Sequence, residues 1–293
     1  MVILAAVGWL APRAIGLGAT RPAAASSPTA TPATSASQSP TTSTSPSTSA
    51  SPSSDPSPSA AAGSTGPLQL VGFGDSVLAG AGCDCDDYLV QAASQLHHDT
   101  GRRVTTTNRG VNGETAADLL QELRTDNKAM AEVKQADAIV LTVGANDLQS
   151  SLDTWSDKGC NSSCYQPEIA SMADRLDSIL TIIDRAKKPG AVVLVTNYWN
   201  VYLDGDVGKH TYGAGYLSWS DTVTRAANAA ICRSATQAKA TCVDLYQPFK
   251  GDGGDDPTEL LADDGDHANA RGTTTIARVV AKAIEQALPD GSH

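Results

Sequence analysis

Ala138-Ile139-Val140-Leu141-Thr142-Val143, running straight into Gly144-Ala145-Asn146-Asp147, is the stretch that decides the fold. The run is too short for a buried helix and shows no polar alternation. A strand of this kind must be covered on both faces, which is the signature of a parallel sheet between helices. Ala191–Thr196 repeats the pattern. Leu68–Phe73, the β-branched Val104–Asn108 and the short Thr241–Leu245 complete the expected strands. Helix-period segments lie between and after them: Tyr88–Leu96, Thr115–Leu123, Pro167–Ala186, Ser220–Ala238 and Thr273–Leu288. Thr115 and Asp118 suit a capped start, and Pro189-Gly190 stops the third helix. Strands alternating with helices in this way predict a single three-layer α/β/α domain with a mostly parallel sheet of about five strands.

Composition divides the 293 residues before that sheet begins. Residues 1–21 form an apolar, signal-like leader, shorter in its apolar run than a spanning helix requires. Residues 22–66 number 45, of which 41 are Ser, Thr, Pro or Ala, so they are expected to be a disordered linker. Residues 67–293 hold the folded domain. Arg13, Arg21 and Asp55 are the only charged side chains before it, so the domain carries 19 basic and 31 acidic groups, a net −12. That balance argues against a nucleic-acid partner, which needs a basic footprint. It also gives the folded domain no attraction to an anionic membrane surface. A monomer is expected.

All six cysteines fall in the domain: Cys83, Cys85, Cys160, Cys164, Cys232 and Cys242. An even count behind an export-like leader implies disulfides and a secreted or cell-surface-tethered location. Cys232–Cys242 is the favoured pair, contributing about 3 kcal/mol by loop entropy. Cys160–Cys164 suits a small clip. Cys83 and Cys85 either pair with each other or leave one partner elsewhere. Their spacing does not match a zinc site, and the aspartates from Asp252 to Asp266 do not match an EF-hand loop, so no metal is expected.

In a parallel sheet, ligands gather beyond the carboxyl ends of the strands. Those ends carry Gly74-Asp75-Ser76, Asn108–Thr115, Gly144-Ala145-Asn146-Asp147 and the acidic loop Asp263-Asp264-Gly265-Asp266-His267. A hydroxyl, a glycine turn, a side-chain amide and an Asp/His pair therefore meet at one edge. Asp290-Gly291-Ser292-His293 has the same Asp/His spacing but lies at the chain end.

These four segments, in this order and each after its strand, resemble the SGNH (GDSL-type) hydrolases, a superfamily of serine esterases and lipases. The resemblance spans roughly residues 68–285. It departs from the usual pattern where Ala268 follows the histidine in place of proline. The resemblance implies a flavodoxin-like SGNH fold and hydrolysis of carboxylic esters without a cofactor. Ser76 becomes the expected nucleophile, His267 its base, and Asp264 the group orienting the imidazole. The oxyanion donors it implies are the Ser76 and Gly113 backbone N–H groups and the Asn146 side chain. Asp75 and Asp147 are expected to hold loop backbone amides. Tyr198 and Trp199, in the densest aromatic cluster, are candidates for lining a substrate pocket. Expected substrates are small-acyl, carbohydrate or lipid esters. The alternative is a non-catalytic module of the same fold that binds cell-wall glycan.

Overall fold

The computed structural model describes residues 66–288. The expected leader, nearly all of the linker and the terminal Asp290–His293 segment lie outside the described residues. In chain order the strands are β1 (Leu68–Gly74), β2 (Val104–Gly110), β3 (Ala138–Thr142), β4 (Val192–Thr196) and β5 (Thr241–Val243). The helices are α1 (Ser76–Ala79), α2 (Tyr88–Thr100), α3 (Ala116–Thr125), α4 (Asn127–Gln135), α5 (Gln149–Lys158), α6 (Ser162–Ala186), α7 (Gly205–Tyr212), α8 (Ala214–Gln237), α9 (Tyr246–Lys250) and α10 (Ala270–Ala287).

All five strands run parallel in the order β2-β1-β3-β4-β5. Successive side chains on a strand point to opposite faces, so the doubly apolar runs feed two cores. Val71, Phe73, Ile139, Leu141 and Val195 pack with α3, α4, α6 and α8. Leu70, Val140, Leu194 and Val243 pack with α2 and α10 on the other side. The order reverses at β1, whose neighbours β2 and β3 follow it in sequence. The mouth between β1 and β3 is thus the switch point where such sheets hold ligands.

Local chemistry sets the helix ends. Thr115 and Asp118 form the reciprocal capping box expected of them. The third predicted helix starts earlier than its proline suggested: α6 begins at Ser162, and Pro167 lies inside it. The Asn161 side chain caps it by accepting from Ser163 N at 3.1 Å. The Cys160–Cys164 pair braces that first turn. Pro167 therefore costs one in-helix hydrogen bond in the second turn. Cysteines also pair as Cys83–Cys85 and Cys232–Cys242, with Cα–Cα distances of 5.1 Å each. No helix among the described residues is long and apolar enough to cross a membrane.

Candidate active site

β1 ends in Gly74, and the chain turns at once into the one-turn helix α1. Asp75 caps it, accepting from Val77 N at 3.0 Å. Ser76 is its first residue, so its backbone N–H has no acceptor within the helix. From the far end of the chain, the loop before α10 brings His267 to the same point. His267 Nε2 lies 2.8 Å from Ser76 Oγ, and His267 Nδ1 lies 2.7 Å from Asp264 Oδ2. Asp264 also holds its own loop: Oδ1 accepts from Asp266 N at 2.9 Å and His267 N at 3.0 Å. Partial burial works against its charge. The bonds from the His267 ring and from the two backbone amides outweigh that and hold the carboxyl below the usual aspartate range.

Gly82 packs against the Cβ of His267. A Cβ built there would lie 2.5 Å from the His267 Cβ, so only glycine lets the loop after α1 pass beneath the histidine. The adjoining Cys83–Cys85 pair belongs to that same loop.

Gly113 lies in a tight turn closed by Glu114 N donating to Val111 O at 3.1 Å, and it adopts φ +81°. A side chain there would be strained although it would meet only open space. Asn146 follows β3 and donates from Nδ2 to Glu114 O at 2.9 Å, fastening itself to this turn. Ser76 and Asn146 line one small cleft of about 140 Å³, together with Gln149, Leu152, residues 198–203 and Asp266. Of the expected site residues, Ser76, Asp264, His267 and Asn146 are brought together, and Gly113 stands one residue before the carbonyl that Asn146 holds.

Asp75 and Asp147 do hold loop amides, as expected, and each has a second partner. Asp147 accepts from Ala116 N at 2.7 Å and Arg175 Nη1 at 3.2 Å, joining the β3 loop to α3 and α6. Asp75 is 1% exposed and accepts from the Tyr198 hydroxyl at 2.5 Å. Burial pushes its carboxyl up to about 7, against the opposing bonds from Tyr198 and Val77.

That bond bears on the two aromatic candidates. Tyr198 and Trp199 border the cleft but are each only 1% exposed. Tyr198 spends its hydroxyl on Asp75. The Trp199 ring stacks on Phe249 with centroids 4.5 Å apart. Both line the cleft as expected and pack as well, because a loop that closes over the sheet edge must bury its own aromatics. The remaining described histidines stand apart: His210 lies exposed on α7, and His97 and His98 end α2. Among the described residues no cluster of His, Cys, Asp or Glu could hold a metal ion.

Glu114 is a feature the spacing did not reveal. It is 6% exposed and its Oε2 has no partner. Burial first, then the charges of Glu122, Asp75 and Asp118, raise its carboxyl to about 8, although Arg109 pulls the other way. An unfolded chain releases this proton near 4.5. Between the two values the folded state binds more protons, so the site's contribution to stability is present below about 4.5 and lost as pH rises through about 8. Asp75 acts with the same sign. Glu114→Gln is therefore expected to reduce the fall in Tm between about pH 5 and about pH 8 without abolishing it. Thermal unfolding at both pH values checks this; an unchanged fall contradicts it.

A family model described as the GDSL-like Lipase/Acylhydrolase family matches residues 73–274. The chain belongs to that family. It is accordingly a carboxylic ester hydrolase. Solved structures share the fold of this GDSL-like hydrolase. The lipase Lip_vut3 from a goat rumen metagenome is 20% identical, with 74% of this chain and 97% of that chain covered and a TM-score of 0.62. A lipase/acylhydrolase from Enterococcus faecalis is also 20% identical, covering 76% and 97%, with a TM-score of 0.54. A variant of Axe2, an acetyl-xylooligosaccharide esterase from Geobacillus, is 16% identical, covering 75% and 95%, with a TM-score of 0.54. No curated protein matches the chain.

Proposed function

We propose that this GDSL-like hydrolase is an exported serine esterase that cleaves short-acyl esters through an acyl-enzyme on Ser76. The observation that carries the reading is the unbroken relay from Ser76 Oγ through both nitrogens of His267 to Asp264. A serine hydroxyl is a weak nucleophile until a base takes its proton. His267 Nε2 takes it as Oγ attacks the ester carbonyl. Asp264 keeps the other nitrogen protonated and stabilises the imidazolium that forms. The carbonyl oxygen gains charge, which the Ser76 and Gly113 N–H groups and the Asn146 amide receive. His267 then returns the proton to the departing alcohol. Water repeats the sequence on the acyl-enzyme and frees the acid.

The size of the cleft supports a short acyl group. At about 140 Å³ it is well below the ~300 Å³ or more of sites that enclose drug-sized ligands. The Cys160–Cys164 and Cys232–Cys242 pairs, with the signal-like leader and the Ser/Thr/Pro/Ala linker, support export. The test is a chain-length series of p-nitrophenyl esters together with an acetylated glycan. Turnover should be highest for acetyl and butyryl esters and fall steeply with longer chains. Retention of the glycan without turnover of any ester would establish the binding-module alternative instead.

A further inference from the structure

Asp266 stands at the reacting end of the relay without being a member of it. Its Oδ2 lies 3.9 Å from His267 Nε2, the nitrogen that faces Ser76. Its backbone N–H is fixed on Asp264 Oδ1, so the residue is positioned by the same carboxylate that orients the imidazole. Its half-buried side chain forms part of the cleft wall beside Ser76. The other residues lining that cleft include Asp75 and no lysine or arginine. Lys250, a buried cation outside the cleft lining, is committed to Asp204 at 2.6 Å.

The nitrogen that deprotonates Ser76 must also protonate the leaving oxygen, so the alcohol half of the ester departs past His267 Nε2. A carboxylate 3.9 Å from that nitrogen therefore stands beside the alcohol half as it departs, in the same cleft that takes the short acyl group. An alcohol carrying a carboxylate, sulfonate or phosphate close to its ester oxygen would meet like charge in a partly desolvated cleft. A cationic alcohol would meet a counter-charge, and neutral hydroxyls would meet an acceptor.

We propose that Asp266 is a specificity-determining residue that makes the leaving-group side of the site reject anionic alcohols and favour cationic ones. The proposal rests on the serine-esterase reading and refines its substrate class. Esters set beside a phosphate are poor substrates. Short-acyl esters of neutral or cationic alcohols are good ones.

Three acetyl esters with matched alcohols test it: acetylcholine, 3,3-dimethylbutyl acetate and 2-acetoxyethanesulfonate, which are cationic, neutral and anionic. Burial raises the Asp266 carboxyl above the ordinary carboxylate range, so acetate release is measured at about pH 8 for the parent, Asp266→Asn and Asp266→Glu. The parent should rank them cationic, neutral, anionic in kcat/KM. The cationic-to-anionic ratio should fall about tenfold or more in Asp266→Asn and return in Asp266→Glu, a change of about 1.4 kcal/mol or more in transition-state preference. In the parent alone, added salt should compress the same ratio, because the discrimination is electrostatic. An Asp266→Asn ratio within twofold of the parent's, or a parent ratio insensitive to salt, overturns the proposal. Full acetate release by a Ser76→Ala control overturns instead the esterase reading on which it rests, so the two failures are distinct.

Discussion

Ser76→Ala is expected to fold as the parent does and to lose about 10⁴–10⁶ of kcat on p-nitrophenyl acetate. The fold should tolerate the change because the cap of α1 belongs to Asp75, which accepts from Val77 N, and not to the serine. Ser76 Oγ has His267 Nε2 as its partner, and that is an interaction of reactivity more than of packing. A surface-like substitution of this kind shifts stability by about 0.5 kcal/mol or less. The residual rate should be the part that the cleft and its amide donors supply without a nucleophile. Parallel thermal unfolding and initial-rate measurements separate the two quantities. A Tm near the parent's with turnover near the parent's contradicts the assignment of Ser76.

Asn146→Ala should be the second-largest loss, about 10²–10³ in kcat with KM little changed. The split follows from timing: the amide meets full negative charge only when the tetrahedral intermediate forms, so ground-state binding is spared. Asn146 also fastens the Gly113 turn through its 2.9 Å bond to Glu114 O. The loss therefore includes a second donor, the Gly113 N–H, becoming less well aimed. A KM rise with unchanged kcat would instead place Asn146 in substrate binding.

Much of this site was legible in the sequence because its members are loop residues at the ends of strongly apolar strands. Ala138–Val143 and Ala191–Thr196 admit no other placement than between two helix layers, and that placement puts Ser76, Asn146 and the Asp264/His267 loop at one edge. The helices were read less well. α4 buries only Ala129 and Val133, too thin a stripe to stand out, and α7 buries only the glycines 205 and 208. The Asp75–Tyr198 bond joins residues 123 positions apart, and no local spacing encodes it. Tyr198 and Trp199 line the cleft, but an aromatic run after a strand reads the same whether it faces a ligand or the core, so their near-complete burial was not legible. Gly82 carried a faint signal: Gly80-Ala81-Gly82 marks close backbone approach, and the group approached proved to be His267. Asp266 could not be told from Asp263 by sequence. Only the fold turns it toward His267 Nε2.

In the proposed mechanism one serine hydroxyl, activated by His267, attacks the ester. The most direct measurement is labelling of the parent with a serine-reactive fluorophosphonate, followed by peptide mass mapping. One phosphonyl adduct per chain is expected, on the peptide carrying Ser76, with hydrolysis lost in step with labelling. An adduct confined to another residue, or full hydrolysis remaining after stoichiometric labelling of Ser76, would contradict it.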